Sequence, residues 1–144
     1  MNFKPRNPNF ATEVHDSFSR QHAMTLIGAE VIRVEPGEVD IALPYRSDLT
    51  QQDGFIHAGI IATVADSACG YAAFTLMPPN SNVLAVEFKL NLLRPAKGSR
   101  FVAAASVLKP GRTLTVVRTD VFAEERNGEL IATMVGTMMC LPRT

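Results

Sequence analysis

The run from Phe55 to Met77 is long enough to cross a membrane and mostly apolar, yet it contains His57, Asp66 and several Gly, Ser and Thr residues. The chain beyond it alternates like a sheet that needs a helix to cover it, so the pattern predicts a core helix from about His57 to Leu76, ended by Pro78-Pro79. One acidic side chain, Asp66, stands inside this otherwise buried segment. An unpaired carboxylate in apolar surroundings costs several kcal/mol or shifts its pKa, so a sequence that keeps one there pairs it, hydrates it or uses it.

The segments on either side fix what the helix packs against. Phe10, Val14 and Phe18 recur at helical spacing and predict a short amphipathic lead helix over Asn9 to Ala23. Val31, Ile32 and Val34, then Val39, Ile41 and Leu43, flank Pro36-Gly37 and read as a hairpin between Ala29 and Leu43. After the helix, Leu84, Val86, Phe88, Leu90 and Leu92 alternate with more polar positions, which predicts a strand with one face buried. Lys97-Gly98, Pro110-Gly111 and Asn127-Gly128 then separate strand-like runs at Phe101 to Leu108, Leu114 to Ala123 and Leu130 to Leu141. The expected fold class is α+β, an antiparallel β-sheet wrapped around a long central α-helix, in a single domain over 1–144 with a lead segment at 1–23 and a core at 24–142.

Fourteen Lys plus Arg balance fourteen Asp plus Glu without segregating by sign, so nothing supplies the basic footprint that nucleic acid or an anionic membrane demands. Hydrophobic residues make up 47% of the chain, high for 144 residues, and lead us to expect self-association. Cys69 and Cys140 are too far apart for a CxxC motif and read as reduced core cysteines. No metal-ligand spacing, Gly-rich phosphate loop or Ser-His-Asp arrangement is visible, and His15 and His22 read as surface groups. No apolar run follows the basic residues near Met1, so a cytoplasmic location is expected.

Gln51, Gly54, His57-Ala58-Gly59 and Asp66 occur in the order of a recognisable signature, and Leu92–Ala96 and Leu108–Arg112 match further strand-end and hairpin features. In these the chain, from about Ala23 to Leu141, resembles the hotdog-fold thioesterases, specifically the group related to the phenylacetic-acid-pathway thioesterase. The resemblance implies the hotdog fold and hydrolysis of an acyl-CoA thioester to a carboxylic acid and coenzyme A, with coenzyme A a part of the substrate and no separate cofactor. It also implies a homodimer, or a dimer of dimers. Two positions depart from the pattern: Ala58 stands where a second glycine is usual after the histidine, and Ala85 where some relatives carry a hydroxyl that helps hold the attacking water.

Positions 58 and 66 lie eight apart, about 12 Å along an α-helix, and cannot meet at one atom within a chain. The unsatisfied N–H groups of a helix beginning near His57, those of Ala58 and Gly59 among them, can polarise a carbonyl oxygen. Asp66 can serve that carbonyl only from a second copy of the helix, so the geometry asks for a two-fold dimer with composite sites. The candidate catalytic set is Asp66 as general base or nucleophile, Gln51 to orient water or carboxylate, the N–H groups of Ala58 and Gly59, and His57 to shape the turn and cap the helix. Arg94, Lys109 and Arg112 are candidates for the phosphates of coenzyme A. Against these stand plainer readings: Asp66 bonded to Thr63, Ser67 or a neighbouring backbone group, Gln51 an ordinary loop residue, the three cations solvated. Two alternative functions also remain, a hotdog dehydratase or hydratase using His57, and an acyl-CoA binding module without turnover. Leu26, Phe74, Met77 and Phe88 are candidate pocket residues whose types do not set an acyl length.

Overall fold

The alanine-rich stretch after His57 forms the one long helix of a computed structural model that describes residues 3–143. In chain order the elements are α1 (Phe10–Ser19), α2 (His22–Ile27), β1 (Glu30–Glu35), β2 (Glu38–Pro44), a 3-10 turn (Ser47–Leu49), α3 (Ala58–Phe74), β3 (Ser81–Leu92), β4 (Arg100–Lys109), β5 (Leu114–Ala123) and β6 (Glu129–Pro142). The six strands make one antiparallel sheet in the order β1-β2-β4-β5-β6-β3. It curls around α3, which touches every strand from β2 to β6.

Small residues allow that curl. Ile61, Val64, Ala65, Ala68 and Ala72 recur at helical spacing and are buried, with Ala103 and Ala105 of β4 also solvent-free. At Gly136 the approach is closest: a Cβ there would lie 2.9 Å from Cys69 Sγ and 3.1 Å from Met138 Cε, so β6 can cross the helix only without a side chain. The far end of α3 is pinned by Thr75, which accepts from the Gly37 N–H at 2.7 Å and donates to the Ala72 carbonyl at 2.7 Å. The α-helix stops at Phe74, slightly before the Leu76 expected from sequence, and tighter turns carry the chain on, with the Leu76 N–H on the Ala73 carbonyl and the Met77 N–H on that of Phe74, up to Pro78-Pro79. No helix among the described residues is long and apolar enough to cross a membrane.

Two expectations need correction. The lead helix is two helices, broken at Arg20-Gln21. Gln21 leaves helical geometry (φ −79°, ψ 94°) and turns its amide inward, donating to the Tyr71 hydroxyl at 3.1 Å and accepting from Ser67 Oγ at 3.1 Å. In β3 the expected uniform alternation is interrupted by a bulge between Ala85 and Glu87. Partners on the helix-facing side of β6 pair with Val83 and Ala85 before the bulge and with Phe88, Leu90 and Leu92 after it, which puts Leu84 on the opposite face. Nor is one face of β3 buried. It is the sheet's last strand, and Leu84, Val86, Phe88 and Leu92 each remain about half exposed, at 56%, 51%, 45% and 55%.

Candidate active site

The start of α3 is built from His57. This residue is extended (φ −60°, ψ 138°) and its Nδ1 accepts the Gly59 N–H at 2.9 Å, while its carbonyl takes the N–H groups of Ile60 and Ile61. The expected helix cap is therefore present, with a consequence for the donors. Gly59 has spent its N–H on the cap, whereas the Ala58 N–H has no acceptor among the described residues. The pair of free donors expected from sequence is reduced to one.

Ala58 lines a cavity of about 470 Å³ together with Gln51, Phe55, Leu92 and Arg94. Gln51 is held by the loop it closes: its Oε1 accepts from the Asp53 and Phe55 N–H groups, and its Nε2 makes only a 3.4 Å contact with Asp53. The amide's donor end is thus weakly engaged. Arg94 flanks the same space, paired with Glu129 at 3.1 Å and donating to the Leu130 carbonyl.

Asp66 lies elsewhere. It opens on a small chamber of about 90 Å³ shared with Gln21, Ser67, Tyr71, Val83 and Ala85. Its Oδ1 is buried with no hydrogen-bond partner among the described residues. The plainer reading assigned it to Thr63 or Ser67, but Thr63 Oγ1 donates to the Gly59 carbonyl and Ser67 Oγ to Gln21. Burial raises the Asp66 carboxyl above the ordinary aspartate value. Burial likewise pushes the neighbouring Cys69 thiol up to about 12, which favours the protonated form.

Within one chain, then, Gln51 and Ala58 share a cavity and Asp66 faces another, with no lining residue in common. Lys109 and Arg112 are exposed at the β4–β5 turn. That turn lies at the sheet end occupied by Gly37, while Arg94 is at the other end, where the Ile56 N–H bonds Ala96. Of the candidate pocket residues, Phe74 lines a cavity and Met77 is buried, whereas Leu26 is 73% exposed and Phe88 stands on the open strand. Sequence reasoning missed Gln21 and Tyr71 around the carboxylate and placed Ser67 there only as a partner of Asp66, whereas it donates to Gln21. Only the polarity of Gln21 at the break in the lead helix hinted at them.

No cluster of His, Cys, Asp or Glu among the described residues could hold a metal ion. A six-stranded antiparallel sheet curled on one long central helix defines a hotdog-fold protein. The model of the Thioesterase superfamily matches residues 53–129, more than half of the chain, and the chain belongs to that family.

Its structure superposes on a thioesterase family protein from Silicibacter pomeroyi with a TM-score of 0.88 and 53% identity, covering 92% of this chain and 98% of that one. A variant of the phenylacetic acid degradation protein PaaI from Thermus thermophilus superposes with a TM-score of 0.75 and 29% identity, covering 84% and 100%. A 1,4-dihydroxy-2-naphthoyl-CoA hydrolase from Listeria monocytogenes is 26% identical over 90 residues, covering 62% of this chain and 73% of that protein.

Proposed function

We propose that the chain is an acyl-CoA thioesterase acting as a two-fold dimer, each site formed by Asp66 of one protomer and the α3 start of its partner. The observation that carries this reading is the Asp66 Oδ1, buried without a donor in a chamber separate from the one that holds Ala58. A family of thioesterases and a relative that hydrolyses an acyl-CoA support the substrate class. The half-exposed apolar residues on the unpaired edge of β3 support the dimer, since an open hydrophobic edge strand is a template for a second copy. Antiparallel pairing of two such edges would bring the Arg94 end of one chain toward the Lys109 and Arg112 end of the other, where the three cations could meet the phosphates of coenzyme A.

In the composite site the Ala58 N–H of one protomer receives the thioester carbonyl oxygen and stabilises the negative charge that develops there. Asp66 of the other takes a proton from water as that water attacks the carbonyl carbon, or attacks the carbon itself to give an anhydride that water then opens. Collapse of the tetrahedral species breaks the C–S bond and expels the thiolate, a leaving group good enough to need no strong general acid. Ala85 brings no hydroxyl to the chamber, so the water rests on Asp66 and on the amide donor of Gln51. His57 Nδ1 is committed to the cap, which speaks against the dehydratase reading that needs this imidazole as a base.

The test is complementation. Proline is favoured at the first helical position and His57 already has the extended backbone that precedes it, so Ala58→Pro removes the N–H with the helix start intact. Neither Ala58→Pro nor Asp66→Asn alone should release thiol from an acyl-CoA panel. Unfolded and refolded together, they should recover about a quarter of wild-type activity, because half of the dimers are mixed and each mixed dimer has one intact site. Absence of recovery with both variants folded and dimeric would refute the shared site. Enoyl-CoA hydration without thiol release would favour the dehydratase, and tight binding by wild type without turnover the binding module.

A further inference from the structure

The chamber at Asp66 shares a wall, Gln21, Tyr71 and Val83, with a second cavity. That cavity, of about 440 Å³, lies between α1, the C-terminal half of α3 and the beginning of β3. Its walls are mixed, apolar at Phe74 and Leu141 and polar at Ser17, Gln21 and Asn82, and two guanidinium groups line it, Arg20 and Arg143, while no carboxylate does. Neither arginine is firmly committed. Arg20 donates to the Asp16 carbonyl and pairs with no carboxylate among the described residues. Arg143 reaches Asn82 and the Ser81 carbonyl only at 3.4 Å and Glu13 only at 4.0 Å.

Resting on the thioesterase reading above, we infer that this cavity receives the acyl group and that Arg20 and Arg143 select acyl chains ending in a carboxylate or a comparable anion. The volume suits a short acyl chain and is too small for the nucleotide and pantetheine arm of coenzyme A together. A plain alkyl terminus would take water from the two guanidinium groups and return nothing, whereas a carboxylate matches their donor geometry and their charge. Val83 and Phe74 offer apolar contacts to the methylene chain between the scissile carbonyl and that terminus.

The experiment compares two acyl-CoAs of equal chain length, adipoyl-CoA and hexanoyl-CoA, by thiol release. Wild type should favour adipoyl-CoA in kcat/KM by about tenfold or more, the scale of one or two charge-assisted hydrogen bonds. Arg20→Gln and Arg143→Gln should each lower that ratio several-fold, the double variant should bring it near one, and added salt should lower it in wild type. Both arginines are exposed, so folding should survive, which a melting curve checks. A wild-type ratio at or below one, or a ratio indifferent to both substitutions, overturns the inference while leaving the thioesterase reading standing. Weaker inhibition by free coenzyme A in the variants, with the ratio unchanged, would assign the arginines to its phosphates and equally overturn it. Release of thiol from neither substrate nor any other acyl-CoA ends both.

Discussion

Replacing Asp66 by Asn should give a protein that melts higher and does nothing. The wild-type carboxylate holds a buried Oδ1 with no donor, and burial alone raises its pKa. An unsatisfied charged acceptor costs about 1–3 kcal/mol, of which an uncharged amide, still short of partners, would return about 1 kcal/mol. For a chain of this size that is an upward shift in Tm of about 2–4 °C. Loss of the general base should lower kcat about 10²–10⁴-fold, some 3–5 kcal/mol of transition-state stabilisation. The pH dependence has a definite sign. A carboxyl whose folded pKa is raised binds its proton more tightly in the folded state, so its stability advantage exists at acid pH and is lost as pH rises through the window between the unfolded and folded values. The Tm difference between variant and wild type should therefore be smallest at acid pH, grow through that window and become constant above it. Activity should run oppositely, falling as acid protonates Asp66. Calorimetry across pH and thiol-release kinetics check both halves. A variant that melts lower at neutral pH, or keeps its turnover, would show a carboxylate kept for structure.

Thr75→Val keeps the shape but leaves the Gly37 N–H without its acceptor, and should cost about 1–3 kcal/mol, seen as a Tm lower by about 2–12 °C. Gly136→Ala puts a Cβ 2.9 Å from Cys69 Sγ and should destabilise by about 1–3 kcal/mol; Cys69→Ala in the same chain should recover part of the loss in denaturant titrations. Phe88→Lys places a charge on the open edge of β3 and should reduce the molecular mass measured by light scattering to that of one chain, with loss of thiol release; an unchanged mass would place the contact between copies elsewhere.

Most of the fold could be read from patterning because each element carries its own period. The long helix showed itself by length and by its single carboxylate, and the hairpins by Pro36-Gly37, Pro110-Gly111 and Asn127-Gly128, all of which fall at or beside strand ends. The His57 cap was legible too, since an N-cap acts over two residues. What escaped were effects set by distant groups. Gln21, at the break in the lead helix, is held by residues some fifty positions away: Ser67 donates to its amide oxygen and the Tyr71 hydroxyl accepts from its amide nitrogen. The competition between His57 and a ligand for the Gly59 N–H depends on a side-chain rotamer, which residue types do not encode. In β3, a run of apolar residues at every second position concealed an extra residue, since periodicity counts positions along one strand and a bulge exists only relative to its neighbour.

That extra residue makes β3 unequally tolerant of losing one amino acid. Across the bulge, Ala85 pairs with Met138 and Glu87 with Thr137, skipping Val86. Excising Val86 would restore an unbroken ladder and leave every other side chain on its present face, at the cost of the local bend. Excising Lys89 instead would shift the parity of one flank against the other and send residues that meet the helix to the outside. Shortened chains from a deletion library should therefore persist at position 86 and vanish a few residues downstream.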